Sequence, residues 1–419
     1  MTRKPRTSVR LILVALMLAN CAASGIARAA DPPSDEELAD KVKQTEESVT
    51  AMQSILTRLQ RTQIGGYVQA RAFYSENAVP SSNLWVRRAR LNVKNSWDRG
   101  QLVLSFDGGT NVVTAKDAYI DWTMVKGEGQ RHGLVIRGGQ FFRPFGFELE
   151  RSDSAREFLE RPPTYDVLFP GNRDQGFDLS YGITSALVIN GAILNGSGTS
   201  TTNLSFRDAD DRKDLAARLR YSFFGPRADI ALSYYDGEQV IPAVAAVPAV
   251  RGFADSNNNG VQDAGEDTVI VSPAKAGVSA ITGSRDRWGV SLNFYDLLGG
   301  TLRGEYVGAI DLTTNLASGP RQAEAEVRTW FAQYVHVLPH DFLVGVRYDA
   351  LDPDVDDTVR LGGDGEQTDL GVVFARTVGD NLTLSLLWEH QQVNVYDRTA
   401  MTTTETSNDP VTFQMQYAF

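Results

Sequence analysis

A chain of 419 residues, 42% hydrophobic and 22% charged, has enough apolar material to fold and exceeds a typical single compact domain. Its mean hydropathy of −0.25 gives no support to a bundle of transmembrane helices. The net charge of −11 speaks against nucleic acid as a partner, so any handling of anions requires a local concentration of cations inside an acidic protein.

The first element is a basic leader, MTRKPRTSVR, followed by the apolar stretch LILVALMLANCAASGIA and the small-residue site Ala27-Arg28-Ala29. This order is that of a secretory signal peptide over residues 1–29, cleaved after Ala29, with a retained N-terminal anchor as the alternative. Cys21, the one cysteine, stands where a lipoprotein signal would carry its acylated residue, although Asn20 before it is larger than such signals want. Its removal leaves an exported chain without a thiol, and hence without a disulfide. Processing also takes away five basic residues and no acid, so the charge of −11 becomes −16.

Residues 30–63 form the second element. Leu38, Val42, Thr45, Val49, Met52, Leu56 and Leu59 step alternately by four and three, the spacing of a coiled-coil seam. Ser34 and Glu37 make a capping box, with Arg58 and Arg61 near the other end. The stripe fits either packing on the protein's own body or a seam between identical chains. Its almost wholly polar surroundings favour self-association, as a trimer rather than a dimer.

From residue 64 to 419 the pattern changes to short stretches of period two, broken by Gly, Asn, Asp and Pro. Hairpin turns are expected at Trp97–Gly100, Phe224–Pro226, Leu297–Gly300, Leu338–His340 and Val378–Asn381, whereas residues 236–285 make a long polar connection. Short turns on one side and long loops on the other predict an all-β fold: a transmembrane antiparallel β-barrel of about 16 strands at ~22 residues per strand and connection. Parity separates charge from apolar side chains. Leu215, Ala217, Leu219, Tyr221 and Phe223 oppose Arg218, Arg220 and Ser222; Val344, Val346 and Tyr348 oppose Arg347 and Asp349. A β-sandwich shows the same alternation, but aromatics near strand ends (Trp85, Trp122, Tyr234, Tyr235, Trp288, Trp388) suit the girdles of a bilayer-spanning barrel. The last stretch, VTFQMQYAF, places Val411, Phe413, Met415, Tyr417 and Phe419 on one face, expected to meet outer-membrane lipid. A final strand ending in an aromatic residue is also a common outer-membrane assembly signal.

Gly139-Gln140-Phe141, Pro144-Phe145-Gly146, Glu148, Phe158-Leu159-Glu160-Arg161 and Pro170-Gly171-Asn172-Arg173-Asp174, with Arg87–Leu91 earlier, resemble the phosphate-selective porin O and P family. The resemblance covers residues 64–419 and implies a trimeric barrel in the bacterial outer membrane, with a pore in each subunit for small anions such as phosphate. Rings of Arg and Lys favour anions over cations, and the guanidinium matches phosphate oxygens in pairs. By parity the lumen candidates are Arg88, Arg90, Lys94, Arg137, Arg218, Arg220, Arg303 and Arg347, with Arg71 beside them. Arg143 and Arg173 lie in the resembling segment, on an expected loop folded into the pore. Alternatively these cations pair with lumen acids such as Asp121, Glu305, Asp349 and Glu389 and merely fill a polar interior.

DSNNNGVQDAGE carries Asp255, Asn257, Asn259, Gly260, Val261, Asp263 and Glu266 at positions one, three, five, six, seven, nine and twelve. That is the full spacing of an EF-hand-type calcium loop, here expected in a long external connection; a flexible turn-rich loop is the alternative. An enzyme is not expected: no GxSxG, P-loop or HExxH occurs, and Pro339 and the strand pattern deny His336 and His340 the helix that would align them on a metal. Two functions remain: a passive anion-selective outer-membrane channel, or a structural or adhesive calcium-binding barrel.

Overall fold

The computed structural model describes residues 43–50, 52–53, 61–109, 112–129, 131–196, 198, 211–241, 250–253, 268–272, 281–315 and 321–419. The chain divides into two units, Met1–Gln60 and Arg61–Phe419. In the first, residues 43–50 and 52–53 are helical, with Val49 and Met52 exposed. The expected signal peptide and the seam positions Leu38, Val42, Leu56 and Leu59 lie outside the described residues.

The second unit is built from strands. Before its longest inward loop come β1 (Thr62–Tyr74), β2 (Ser82–Trp97), β3 (Gly100–Asp107), β4 (Thr114–Val125) and β5 (Leu134–Phe142). After it come β6 (Arg173–Gly182), β7 (Leu187–Leu194), β8 (Asp214–Phe223) and β9 (Ala228–Asp236). Four short strands follow: β10 (Glu238–Ile241), β11 (Val250–Phe253), β12 (Thr268–Ser272) and β13 (Ile281–Ser284). The wall resumes with β14 (Asp286–Leu297), β15 (Gly300–Asn315), β16 (Arg321–Leu338) and β17 (Phe342–Asp352). It ends with β18 (Gln367–Val378), β19 (Leu382–Asp397), β20 (Thr402–Asn408) and β21 (Val411–Ala418).

Each wall strand pairs antiparallel with its neighbours, and β1 pairs with β21 to close the cylinder. Gly66 and Phe419 exchange two backbone hydrogen bonds of 3.0 Å at that seam. β19 pairs with β20 along its second half and with β21 along its first. Pro410 lacks the N–H a ladder needs, so the strand breaks there, yet the Glu389 N–H still donates to the Pro410 carbonyl at 3.1 Å. Counting β20 and β21 as one interrupted strand, the barrel has 16. All five expected turns join consecutive strands. The long connection 237–285 is not all loop: β10 pairs with β13 and β11 with β12.

The barrel is inside out relative to a soluble domain. Phe413, Met415 and Tyr417 are 43%, 45% and 51% exposed, whereas Thr412 and Gln414 between them are 7% and 5% exposed. The same division holds for Leu215 against Arg218 and for Val346 against Arg347. Apolar side chains can stand outward along a closed, edgeless sheet only where hydrocarbon wets them. Trp122, Tyr234, Trp288 and Trp388 also face outward. Tyr235 does not join that girdle as expected: period two sends it inward, where it is fully buried and its hydroxyl donates to Asp214.

Residues 143–172, between β5 and β6, fold into the lumen. Phe145, Leu149, Tyr165, Leu168 and Phe169 are fully buried against Val307, Val327 and Phe331 of the wall. Burial of each is worth up to about 1.5–3 kcal/mol. Phe158 and Leu159 pack farther round, on Val335, Val373 and Leu387. Gly289 makes room for this loop, since a Cβ there would stand 2.9 Å from the Phe145 ring.

Candidate functional site

The loop's other contacts are ionic. Asp153 and Glu160 project from it toward β1 and β2. Glu160 takes Arg71 Nη1 at 2.6 Å, Arg87 Nε at 2.7 Å and Arg88 Nη2 at 3.0 Å. Asp153 takes Arg88 Nε at 3.3 Å, Arg90 Nη1 at 2.9 Å and Arg161 Nη1 at 3.0 Å, and also pairs with Arg156. Arg90 reaches on to Asp107 at 2.8 Å. Gln69 and Gln416 donate to the carbonyls of Asp153 and Ser154, so the loop is tied across the lumen to both strands of the closing seam.

Arg87 was not expected in the lumen, because parity sets it opposite Arg88. The register between β1 and β2 passes from Gln69 facing Arg88 to Ala70 facing Val86, leaving Arg87 as the extra residue of a β-bulge. The bulge lets two successive arginines serve one carboxylate.

Burial opposes ionisation of Asp153, yet Arg156, Arg88, Arg161 and Arg90 together hold its carboxyl well below the usual range. Glu160 is likewise held low, with Arg88, Arg71 and Arg87 outweighing burial. Burial, and next Arg156, bring Arg161 down to about 9, so all these groups are charged at neutral pH. Six guanidiniums (Arg71, Arg87, Arg88, Arg90, Arg156 and Arg161) thus share three carboxylates.

The remaining lumen candidates are mostly paired as well. Arg137 meets Asp121 through two hydrogen bonds of 2.7 and 3.1 Å. Arg143 holds Asp174 at 3.0 Å and Arg173 holds Asp117 at 2.8 Å, at the two roots of the inward loop. Arg218 binds Glu150 at 2.7 Å and Arg303 binds Glu157 at 3.0 Å. Arg347 binds Asp349 at 2.7 Å, with Glu389 at 3.9 Å. Of the four acids named from sequence, Glu305 alone departs from that role: it accepts from the N–H groups of Phe147 and Glu148 at 2.7 Å and from Tyr165. Lys94 and Arg220 make no ion pair among the described residues. Arg220 lines a polar cavity of about 580 Å³ with Arg137, Arg218, His132 and Asp178.

Sequence reasoning missed Arg87, Asp153, Arg156, Arg161, Arg285 and Arg287. Arg161 and Arg87 carried a signal, inside the Phe158–Arg161 and Arg87–Leu91 motifs; the others carried none. The expected calcium ligands Asp255, Asn257, Asn259, Val261, Asp263 and Glu266 lie outside the described residues; β11 and β12 flank them, with Phe253 paired to Thr268.

A closed 16-strand cylinder with an outward apolar belt, a charged lumen and one long loop folded inside it leaves little choice of class. The fold is that of an outer-membrane porin. An anion-selective porin from Comamonas acidovorans is similar at a TM-score of 0.55 and 10% identity, over 85% of this chain and 99% of that one. The channel DcaP of Acinetobacter baumannii is similar at 0.54 and 12%, over 85% and 97%. OmpT of Vibrio cholerae, in its trimer form, is similar at 0.53 and 8%, over 85% and 99%. No protein-family model matches the sequence, and neither does any curated relative. The porin fold thus stands on structure, while the phosphate-selective resemblance stands on the motifs alone.

Proposed function

We propose that the protein is a passive outer-membrane diffusion channel that favours anions, with phosphate among its solutes. The supporting observation is the excess of guanidinium over carboxylate where the inward loop meets β1 and β2. In a narrow, partly dehydrated passage an uncompensated positive charge lowers the barrier for anions and raises it for cations. The likeness to an anion-selective porin agrees with this reading. The test is the reversal potential of the purified protein in a planar bilayer under a potassium chloride gradient. A potential on the chloride side supports the proposal; one on the potassium side ends it. Absence of conductance in folded protein would favour a structural or adhesive barrel.

We also propose that the chain works as a homotrimer, on the seam spacing of residues 38–59, and that residues 255–266 bind calcium, on their ligand spacing. Cross-linking in detergent tests the first. Calcium titration of wild type against Glu266→Ala, read as a rise in unfolding temperature only in the former, tests the second.

A further inference from the structure

At the short-turn end of the lumen, beside the Trp97–Gly100 turn, lies the polar cavity of about 580 Å³ that Arg220 lines. Most of its charged side chains are already committed. Arg137 is held by Asp121, Arg218 by Glu150, and Asp98 by Lys126 at 2.6 Å. His132 bonds to Ser180 at 2.9 Å. Two charges are left over, one of each sign. Asp178 is 7% exposed and makes no ion pair among the described residues: its Oδ2 accepts from Asn190 at 3.3 Å, and its Oδ1 is buried without a partner. Arg220 is exposed to the cavity and makes no ion pair among the described residues either. A buried carboxylate with an idle oxygen is costly, and a cationic donor placed beside it removes that cost.

The register sets how far apart the two leftover charges stand. Asp178 faces Ala192 on β7, which faces Ala216 on β8. Arg220 lies four positions farther along β8, so the two residues are offset by roughly 13 Å along the strands. Ser180 and Asn190, opposite one another in the register, lie between them and offer neutral donors and acceptors. A single amino acid carries its ammonium and carboxylate on one carbon and cannot touch both ends of such a site. An extended chain covers ~3.3–3.6 Å per residue, so three or four residues span it. The volume falls in the ~300–1,000 Å³ range of cavities that enclose small ligands. A bare metal ion fits less well, because it wants several oxygens around it and Asp178 offers one.

We propose that this cavity binds a short zwitterionic peptide of three or four residues by its two ends, the terminal ammonium on Asp178 and the terminal carboxylate on Arg220. The peptide backbone then lies along Ser180 and Asn190, whose side chains meet its N–H and C=O groups. Both end contacts are charge-assisted hydrogen bonds, which are about twice as strong as neutral ones. The ligand carries no net charge, so the proposal goes beyond the anion reading and rests on the channel reading only for access to the lumen. Asp178 is the specificity-determining residue, because it answers to the amino terminus and to nothing else at the site.

The experiment is calorimetric titration of the full-length protein in detergent with trialanine, N-acetyltrialanine and alanine at neutral pH. Trialanine is expected to bind saturably, and both N-acetyltrialanine and alanine to bind at least tenfold more weakly. In Asp178→Asn the trialanine affinity should fall to that of N-acetyltrialanine, so that the variant no longer tells the two apart. Arg220→Gln should weaken trialanine severalfold and keep the discrimination. Should Asp178→Asn not fold, the comparison of the two peptides on the wild type decides alone. Absence of saturable trialanine binding, or an acetylated peptide or alanine bound as tightly, overturns the site. The reversal potential in bilayers reports on the channel reading separately. A protein that binds trialanine without conducting would end the channel and keep the site, while a chloride-side potential without trialanine binding would do the reverse.

Discussion

The inward loop is held by two unlike attachments. Toward β14–β16 it is fixed by rings: Phe145, Tyr165 and Phe169 sit dry against Val307, Val327 and Phe331. Toward β1 and β2 it is fixed by charge, through Asp153 and Glu160 in a field of arginines. Apolar burial is indifferent to pH and nearly so to salt, and it sets where the loop lies. The ionic attachment also sets the electrical character of the passage, because each loop carboxylate cancels a wall guanidinium. Position and selectivity can therefore be altered separately.

The largest effect is expected from Asp153→Asn. It strips Arg88, Arg90, Arg156 and Arg161 of a buried carboxylate that they share, at a cost of about 3–5 kcal/mol. Denaturant unfolding in detergent measures this, and wild-type stability would show that the ionic attachment is idle. Phe145→Ala strikes the other attachment for about 3 kcal/mol and should raise single-channel conductance by loosening the loop. An unchanged conductance would mean that the ionic side alone positions it. Gly289→Ala presses a methyl group against the same ring and should cost about 1–3 kcal/mol, visible as a lower unfolding temperature.

Glu160→Gln is milder for stability, on the order of 1 kcal/mol, because the carboxyl side chain is 37% exposed. Its effect on selectivity should be the clearest: with Arg71, Arg87 and Arg88 released, the anion-to-cation permeability ratio rises severalfold. A ratio that falls instead would place the passage elsewhere in the barrel.

The smallest expected effect is that of pH. Both loop carboxyls have folded values below their unfolded ones, so their stabilising contribution is complete above the ordinary values of 3.8 for Asp153 and 4.5 for Glu160 and is lost only as pH falls through the lower folded values. The contribution of these two carboxyls to conductance should hold steady from about pH 8 to pH 5. A transition within that window would belong to another group.

Some of the lumen could be read directly. Arg218, Arg347 and Gln414 face inward because a period of two permits nothing else once Leu219, Val346 and Met415 meet lipid. The five tight turns followed from Gly, Asn, Asp and Pro in the same way. Arg87 was illegible, since one inserted residue reverses the parity and nothing in RRAR marks which arginine is the extra one. Tyr235 was misassigned to the outer girdle by composition when parity with Tyr234 already forbade it. Asp153 and Arg156 sit in a stretch with no period at all, and the wall partners of Asp153, Arg88 and Arg90, lie on a distant strand.

Local alternation and turn chemistry act over two to four residues, so the amino-acid order alone determined a closed barrel with cations on its wet face. Which of those cations are free is settled by a loop that doubles back through the cylinder, and by where its carboxylates land. That depends on packing between segments remote in the chain, and only the tertiary structure decided it.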